Sequence, residues 1–377
     1  MTETVLKPVR LESLDALRGF DMLWIIGGGE VVQSLAKASN SGFLNILSKQ
    51  MEHVTWEGFH FEDLIMPLFL FMAGMSIPFS IGKRLTLGES KKKIYLHAFK
   101  RCIILLILGM IYEDNLLAFD LDNLFFIGSV LGAIGIGYFF STIIYTRMNL
   151  KNQIWLTAGL LTAYWSILTF VPTPGQQAGV LLPESNIVKF VEHAVFGRFA
   201  INGVRYMWFL DTVGFVSTVM TGVFASTIIR GHLRLSFIKS SDGQIHKTLI
   251  LTLTGLVMVC VSLVLNVWFP VIKNIWNPTF VLLTSGLSFL LIALFYFVID
   301  VKGYNRWAFW LKVIGMNSIA VYLGVHFFSF GGLANRFVFG LEQFLGAYYP
   351  VIQSMAALTI IYIILYWMYK KGTFIKI

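Results

Sequence analysis

A cluster of ionisable side chains occupies the stretch HVTWEGFHFED of this 377-residue chain. Within eleven residues it holds two histidines and three carboxylates, namely His53, Glu57, His60, Glu62 and Asp63. A histidine whose second ring nitrogen is held by a carboxylate can act as a general base near neutral pH. Acidic residues at a helix start also complement the helix dipole, so a structural interpretation stays open. The spacing of the two histidines matches no familiar set of metal ligands, and no metal site is predicted.

A second group of ionisable residues lies near the start of the chain. Asp15, Arg18 and Asp21 are spaced i, i+3 and i+6, so they share one face of a predicted helix. Ionisable groups inside a membrane helix usually pair with one another, which favours an Asp15–Arg18 pair at the inner surface. The planar guanidinium of Arg18 would also suit a phosphate. The glycine run 27–29 predicts a break in this helix or a close backbone approach.

The elements that must position these residues are membrane helices. Hydrophobic residues make up 56% of the chain and charged residues only 13%, whereas a soluble domain has about a quarter charged residues. A membrane-spanning helix needs about 20 mostly apolar residues. Stretches of this kind lie at 14–34, 64–82, 98–112, 124–146, 153–171, 212–229, 248–270, 279–299, 308–328 and 350–369. We therefore predict an all-α integral membrane protein, a single domain over 1–377 with ten or eleven transmembrane helices.

Two segments of the chain have further predictions of their own, the first apolar stretch and residues 331–349. The first apolar stretch follows a polar lead and carries charges, so it is expected to stay as a membrane helix and not to be a cleaved signal peptide. The segment 331–349 is expected to be re-entrant or interfacial, or else a plain loop.

The distribution of basic residues predicts the orientation of the helices. With the N-terminus in the cytoplasm, 22 of the 29 basic residues fall in inner segments and 7 in outer ones. This split follows the positive-inside rule and places both termini in the cytoplasm. The outer basic residues are Lys37, Lys49, Lys189, Arg198, Arg205, Lys273 and Arg336. Because the basic residues lie in short clusters between apolar runs, they do not indicate nucleic-acid binding.

Four stretches of the chain, in order, resemble the heparan-α-glucosaminide N-acetyltransferase family and its bacterial relatives. They are LDALRGFDML, HVTWEGFHFEDLIMPLFLFMAG, FPVIKNIWNPTFVLLTSGLSF and RWAFWLKVIGMNSIAVYL. The resemblance implies a membrane enzyme that takes an acetyl group from cytosolic acetyl-CoA and acetylates an amino sugar on the far side of the membrane. It also implies that His53 stands where the family has its essential histidine.

The site residues are assigned on this basis. His53 is the expected base or acyl carrier, and Asp63 orients it. Phosphates of acetyl-CoA are expected at the inner surface, against the basic residues Arg18, Lys83, Arg84 and Arg101, with Asn317 nearby. Trp56, Glu57 and His326 are expected to bind the sugar. Most of these residues have a structural alternative. Trp56 could be an interfacial anchor, Asn317 and His326 could hydrogen-bond one helix to another, and the basic residues could determine topology alone.

Two other functions are alternatives to acetyl transfer. Intramembrane Asp15, Asp21 and Glu30 could instead relay protons in a secondary transporter for an amino sugar or its acetylated form. A purely structural protein would give no reason for the cluster at His53. The expected surroundings are membrane lipid, in a bacterial inner membrane, and the assemblies allowed include a homodimer; the sequence does not identify the sugar.

Overall fold

A computed structural model describes residues 11–39, 41–114, 116–120, 124, 129–200, 208–231 and 242–375 of the chain. These residues are almost entirely helical, and the sheet among them is one two-residue hairpin, β1 Leu181–Leu182 and β2 Ser185–Asn186. The helices of the first half are α1 Glu12–Leu23, α2 Gly29–Ser39, α3 Gly42–Gln50, α4 Ile65–Thr86, α5 Lys91–Tyr112, α6 Val130–Arg147, α7 Leu150–Phe170 and α8 Ile187–Phe196. Those of the second half are α9 Asp211–Ile229, α10 Gly243–Leu265, α11 Pro278–Phe295, α12 Phe309–Gly315, α13 Ser318–Phe327, α14 Phe330–Val338, α15 Glu342–Leu345 and α16 Tyr349–Lys370.

The chain divides into two compact units. The first comprises the described parts of Met1–Asn45, Ser236–Ile250 and Leu290–Lys376, and the second those of Ile46–Leu235 and Leu251–Phe289. The single transmembrane domain predicted over 1–377 stays a prediction.

Close helix crossings build the second unit. α4 packs along α9, where a Cβ added at Gly222 would lie 1.9 Å from the backbone oxygen of Phe71, and one at Gly74 would lie 1.9 Å from that of Val219. Only glycine permits two helix backbones to come so close. α6 packs against α4, α5 and α9, and α7 against α9. α4 and α9 are the most buried of the membrane-spanning helices in this unit, and α4 carries the candidate site at its N-terminal end.

The first unit repeats this construction with different helices. α1 crosses α12, where a Cβ at Gly19 would lie 1.7 Å from the Leu311 oxygen. Polar contacts hold the N-terminal end of α1: Lys312 Nζ donates to Glu12 Oε1 at 2.7 Å, and the Ser13 backbone nitrogen donates to Asp300 Oδ2 at 3.1 Å. α16 packs against α2 and α14.

Seven helical segments are long and apolar enough to cross a membrane, counted among the residues that the structure describes. Their apolar side chains often point outward: on α10, Leu256, Val257 and Val264 are about half exposed. Outward-facing apolar side chains are what a lipid environment requires. The chain is therefore a helical, multi-pass integral membrane protein, as the sequence predicted. The seven segments are Phe61–Thr86, Lys91–Tyr112, Val130–Arg147, Asp211–Ile229, Gly243–Leu265, Pro278–Val301 and Phe330–Lys370.

The predicted count of ten and the cytoplasmic position of the termini stay predictions. Predicted span 14–34 contains a π-helical turn over Trp24–Gly28, where Gly27 has a φ of 129°, so the break predicted at the glycine run is confirmed. Span 308–328 is divided between α12 and α13, and span 153–171 corresponds to α7. The span predicted from residue 98 begins earlier, since α5 starts at Lys91. Segment 331–349 is a series of short helical turns, so it is not a plain loop.

Candidate active site

His53 and Asp63 meet just before the N-terminal end of α4. The Nδ1 atom of His53 lies 3.0 Å from Asp63 Oδ1. The Asp63 side chain is fully buried, whereas 58% of the His53 side chain is exposed. A histidine with one nitrogen held by a buried carboxylate and the opposite edge open is arranged for proton or acyl transfer at Nε2. The structure thus brings together the two residues that the sequence singled out as the catalytic pair.

The carboxylate of Asp63 also organises the backbone around it. Its Oδ2 atom accepts the backbone N–H of His60 at 3.0 Å and of Val54 at 3.4 Å. The bond to His60 caps the short 3-10 helix Phe61–Leu64, which leads directly into α4. The loop that carries His53 is therefore fixed to the start of the same helix as its carboxylate.

Lys273 is a third member of the site, and the sequence analysis did not assign it a role there. Its Nζ atom lies 2.9 Å from Asp63 Oδ1 and 3.0 Å from His53 Nδ1. The Lys273 side chain is only 4% exposed. Its ammonium neutralises the charge of Asp63, and removing a charge of either sign from such a buried pair is costly. The site is thus a triangle of imidazole, carboxylate and ammonium.

Backbone pairing brings Lys273 to the histidine across 220 residues of chain. Glu57 and Ile272 form an isolated antiparallel bridge, and the Gly58 N–H donates to the Val271 oxygen at 2.9 Å. Gly58 has a φ of 113°, a conformation that favours glycine. This short bridge therefore fixes the loop of Lys273 to the loop of His53.

The loop that carries Lys273 is held in a strained conformation. Trp276 has a φ of 40°, which is rare for a bulky residue, and its side chain is fully buried. Its indole Nε1 donates to Thr218 Oγ1 at 3.1 Å, and its ring packs edge-on against Phe215 and Phe280. Backbone strain of this kind persists only where the surroundings enforce it, and it is frequent at functional sites.

The two other residues predicted beside the catalytic pair lie in the same loop. The Trp56 indole donates to the Leu181 oxygen of β1 at 2.7 Å, and its ring packs against a buried apolar cluster that includes Tyr164 and Ile272. The side chain of Glu57 is exposed. Trp56 therefore anchors the hairpin, and the sugar-binding roles of both residues stay predictions.

The predicted phosphate-binding residues of the second unit lie toward the other end of α4. Lys83 and Arg84 occupy its last turn, about 27 Å from its first residue at 1.5 Å per residue. Arg84 makes two bonds to Glu89, of 2.6 and 2.8 Å, and thereby lowers the pKa of Glu89 to about 2. Arg101, on α5, lies 4.4 Å above the Tyr138 ring. Among the described residues no carboxylate lies within ion-pair distance of Arg101, so its charge is the more available of the two arginines.

The remaining predicted residues belong to the first unit. Arg18 Nη1 lies 3.7 Å from Asp15 Oδ1, as the structural interpretation of that pair expected. Asn317 is buried and binds the end of the chain, donating to the Thr373 oxygen and accepting from the Ile375 N–H at 3.0 Å. His326 lies in the last turn of α13, beside Phe327. Phosphate or sugar binding by these residues stays a prediction.

In the described ranges, no group of three or more His, Cys, Asp or Glu side chains is arranged to hold a metal ion.

Comparison with known proteins gives two relatives of the same description. The chain is 25% identical to the heparan-alpha-glucosaminide N-acetyltransferase of Homo sapiens, over 98% of its own length and 60% of the relative's. It is 27% identical to the protein of that description from Mus musculus, over 86% of its length and 56% of the relative's. The family resemblance predicted from the sequence is confirmed. The chain spans less than two thirds of either relative, and no protein-family model matches it.

Lys273 could have been found from the same resemblance. It lies inside FPVIKNIWNPTF, one of the four stretches that carry the likeness to these acetyltransferases. It is also one of the seven basic residues predicted on the outer side, where His53 was placed. Neither signal reveals which acidic residue it pairs with, because that pairing depends on the tertiary bridge between two distant loops.

Proposed function

We propose that the protein is a membrane acetyltransferase that moves an acetyl group from acetyl-CoA to the amine of a glucosamine-type sugar. The two relatives are N-acetyltransferases by description, and the match covers most of this chain. His53 is the proposed base or acyl carrier, and Asp63 orients it. A bacterial inner membrane and a homodimer are part of the proposal.

The observation that carries this proposal is the environment of His53. Its side chain is 58% exposed, while its Nδ1 contacts a fully buried carboxylate. When Nδ1 carries the proton and donates to Asp63, the lone pair at Nε2 faces outward as a base or nucleophile. Forming an amide from a thioester and an amine requires such a group, because the attacking amine must lose a proton.

The donor is proposed to bind at the far end of the same unit. The phosphates of acetyl-CoA need several cationic contacts, which Lys83 and Arg84 in the last turn of α4 would supply together with Arg101 on α5. Arg84 must exchange its bond to Glu89 for a phosphate, whereas Arg101 has no such competitor among the described residues. With the predicted orientation, this end faces the cytosolic acetyl-CoA and His53 faces the amino sugar.

Two routes for the acetyl group are compatible with this arrangement. In one, acetyl-CoA reaches His53, which removes the proton of the amine as it attacks the thioester. In the other, His53 accepts the acetyl group first and then passes it to the amine. Both routes place Nε2 of His53 at the reacting carbonyl or amine.

The test is replacement of His53 by alanine in the purified full-length protein. Acetyl transfer from radiolabelled acetyl-CoA to glucosamine should fall by about 10²–10⁴-fold if His53 is a base, and essentially completely if it is a carrier. Binding of CoA should persist, because the proposed phosphate contacts lie at the other end of α4.

The matched control is His60→Gln. His60 lies in the same loop, but its Nδ1 donates to the Glu52 backbone oxygen at 2.8 Å. This variant should keep most of its turnover. Near-normal acetyl transfer by His53→Ala would refute the assignment and turn attention to His193 and His326.

Secondary transport of an amino sugar is the second candidate function. It is favoured by Asp15 and Asp21, two carboxylates buried on α1. Uptake of the sugar into vesicles without acetyl-CoA, unchanged by His53→Ala, would support transport over acetyl transfer.

A further inference from the structure

The Nδ1 atom of His53 lies at nearly equal distance from a carboxylate and an ammonium. Asp63 Oδ1 and Lys273 Nζ are each 3.0 Å from it, and they are 2.9 Å from one another. A ring nitrogen makes one strong in-plane hydrogen bond at a time, as a donor when protonated and as an acceptor when not. Both partners are therefore in place for the two opposite states of the same nitrogen.

We infer that Lys273 is the positioning residue for an acetylated His53, donating to Nδ1 while the acetyl group is on Nε2. This inference rests on the proposed function and selects its carrier route. Asp63 serves the free histidine, whose Nδ1–H it accepts, and Lys273 serves the acetyl-histidine. The residues stay in place while the role of donor passes from His53 to Lys273.

The chemistry of the two half-reactions requires this exchange. In the first, Nε2 attacks the thioester carbonyl, the C–S bond breaks, and the proton of Nδ1 leaves with the CoA thiol. The acetylated ring is then neutral, and its Nδ1 has a lone pair and no proton. A carboxylate cannot donate to that lone pair, whereas the Lys273 ammonium can.

In the second half-reaction, the amine attacks the acetyl carbonyl and the C–Nε2 bond breaks. The leaving imidazole gains electron density at Nδ1, where the hydrogen bond from Lys273 stabilises it. The proton that the amine loses ends on Nδ1, and the ammonium is unchanged at the end. The sum is one acetyl-CoA and one amine consumed, and one amide and one CoA thiol produced.

Burying the ammonium of Lys273 costs free energy, and the proposed role as a hydrogen-bond donor to the acetylated ring explains why it is buried. Burying an ammonium to 4% exposure carries a desolvation cost, which its pairing with Asp63 offsets. A neutral residue beside a histidine–aspartate pair would avoid that cost. The loop is nevertheless held by the strained Trp276 and by two side-chain hydrogen bonds. Asn266 Oδ1 accepts the Val271 N–H, and Asn277 Nδ2 donates to the Pro270 oxygen. A cation is thus fixed where an acetylated ring needs a donor.

The experiment measures the two half-reactions separately in full-length protein. Labelled acetyl-CoA is added without acceptor, the label on the protein is counted, and glucosamine is then added. Lys273→Met should still acquire label on His53, because Asp63 remains, but its transfer to glucosamine should slow by about 10²–10³-fold. Lys273→Arg should recover part of that rate, because a guanidinium also donates.

A double variant covers the case in which Lys273→Met fails to fold. Asp63→Asn combined with Lys273→Met leaves no unpaired buried charge. Fewer molecules should acquire label, because Asp63 is lost, and the label that is acquired should still pass slowly to glucosamine. A structural role alone predicts that labelling and transfer fall together and that Lys273→Arg brings no recovery, and this result would overturn the inference. An unlabelled wild type with an inactive His53→Ala would also overturn it, while leaving the proposed function intact. Near-normal acetyl transfer by His53→Ala would refute the assignment of His53 and this inference with it, whereas no acetyl transfer by the wild type would refute the proposed function itself.

Discussion

At the scale of single residues, the two histidines of one loop differ in what their Nδ1 atoms meet. The Nδ1 of His60 faces the backbone oxygen of Glu52, which can only accept, so that nitrogen is protonated and its ring is fixed. The Nδ1 of His53 faces a carboxylate, which accepts a hydrogen bond from it when it is protonated. It also faces an ammonium, which donates to it when it is not. A backbone partner holds a ring in place, whereas a charged pair also changes its reactivity. This contrast supports the proposed chemistry at His53 and favours a role in loop architecture for His60.

A second buried carboxylate holds a different junction of the same unit. Glu192, on α8, is fully buried, and its Oε2 accepts the backbone N–H groups of Trp208 and Phe209 at 3.0 and 3.1 Å. These two residues lead into α9. Burial raises the pKa of Glu192 above its ordinary value of 4.5, the two backbone donors opposing that rise only in part.

The raised pKa of Glu192 predicts a pH-dependent stability. Because the folded state favours the neutral carboxyl group, its contribution is complete below pH 4.5 and is lost as pH rises through the folded-state value. Glu192→Gln removes this titration. The thermal midpoint of the wild type should therefore fall relative to that of Glu192→Gln as pH is raised from 4.5 to 8. The exposed Glu342→Gln should follow the wild type, and parallel curves for all three proteins would contradict the prediction.

At the scale of elements, features that depend on one short stretch could be predicted from the sequence, whereas contacts between distant loops could not. The break at Gly27 follows from a run of glycines, and the approach of His53 to Asp63 from their ten-residue separation beside a helix start. The place of Lys273 depends on a bridge between Glu57 and Ile272, which no local pattern encodes. The division of span 308–328 at Asn317 was missed for a related reason, since the Asn317 side chain binds the C-terminal segment. The hydropathy of one stretch contains no information on hydrogen bonds to residues far away in the sequence.

The crossing of α4 and α9 gives a prediction at the same scale. A methyl group at Gly222 would meet the Phe71 backbone oxygen at 1.9 Å, so Gly222→Ala must force the two helices apart. Overpacking of this kind costs about 1–3 kcal/mol. The thermal midpoint of the detergent-solubilised protein should fall accordingly.

Gly159→Ala is the matched control for that crossing. Gly159 is on α7, and nothing lies within 4 Å of its added Cβ. Alanine should leave the midpoint unchanged or raise it, because glycine inside a helix is less favourable by roughly 0.5–1 kcal/mol. Equal midpoints for the two variants would mean that the crossing tolerates more separation than its backbone contacts indicate.

At the scale of the whole molecule, the length of one helix separates two chemistries. The 22 residues of α4 span roughly 33 Å, about the thickness of the hydrocarbon core. His53 lies just before its first residue, and Lys83 and Arg84 lie in its last turn. Because α4 and α9 cross in backbone contact at two glycines, an acetyl group cannot pass between these two helices. Any route along the second unit must therefore use other helix faces.

The proposed position of acetyl-CoA leads to a kinetic prediction. Lys83→Gln combined with Arg101→Gln should raise the apparent KM for acetyl-CoA about tenfold or more, because a hydrogen bond to a charged group contributes about 1.5–3 kcal/mol. Turnover at saturating donor should change less, since neither residue is assigned to the reacting groups. The exposed Lys92→Gln is the control for general loss of inner positive charge. An unchanged KM in a well-inserted double variant would place the donor site elsewhere.

The orientation of the whole chain is the last prediction, and the proposed reaction depends on it. Of the 29 basic residues, 22 fall in segments assigned to the cytoplasm, and translocation of such segments is disfavoured. Reporter fusions after residue 90 and after residue 240 should therefore read cytoplasmic, and one near residue 185 should read external. Residue 240 lies outside the described residues, so this part rests on charge alone. Reversal of two of the three reporters would contradict the topology and put His53 in the compartment that contains acetyl-CoA. The acetyl group would then have no membrane to cross, and the amino sugar would have to be cytosolic.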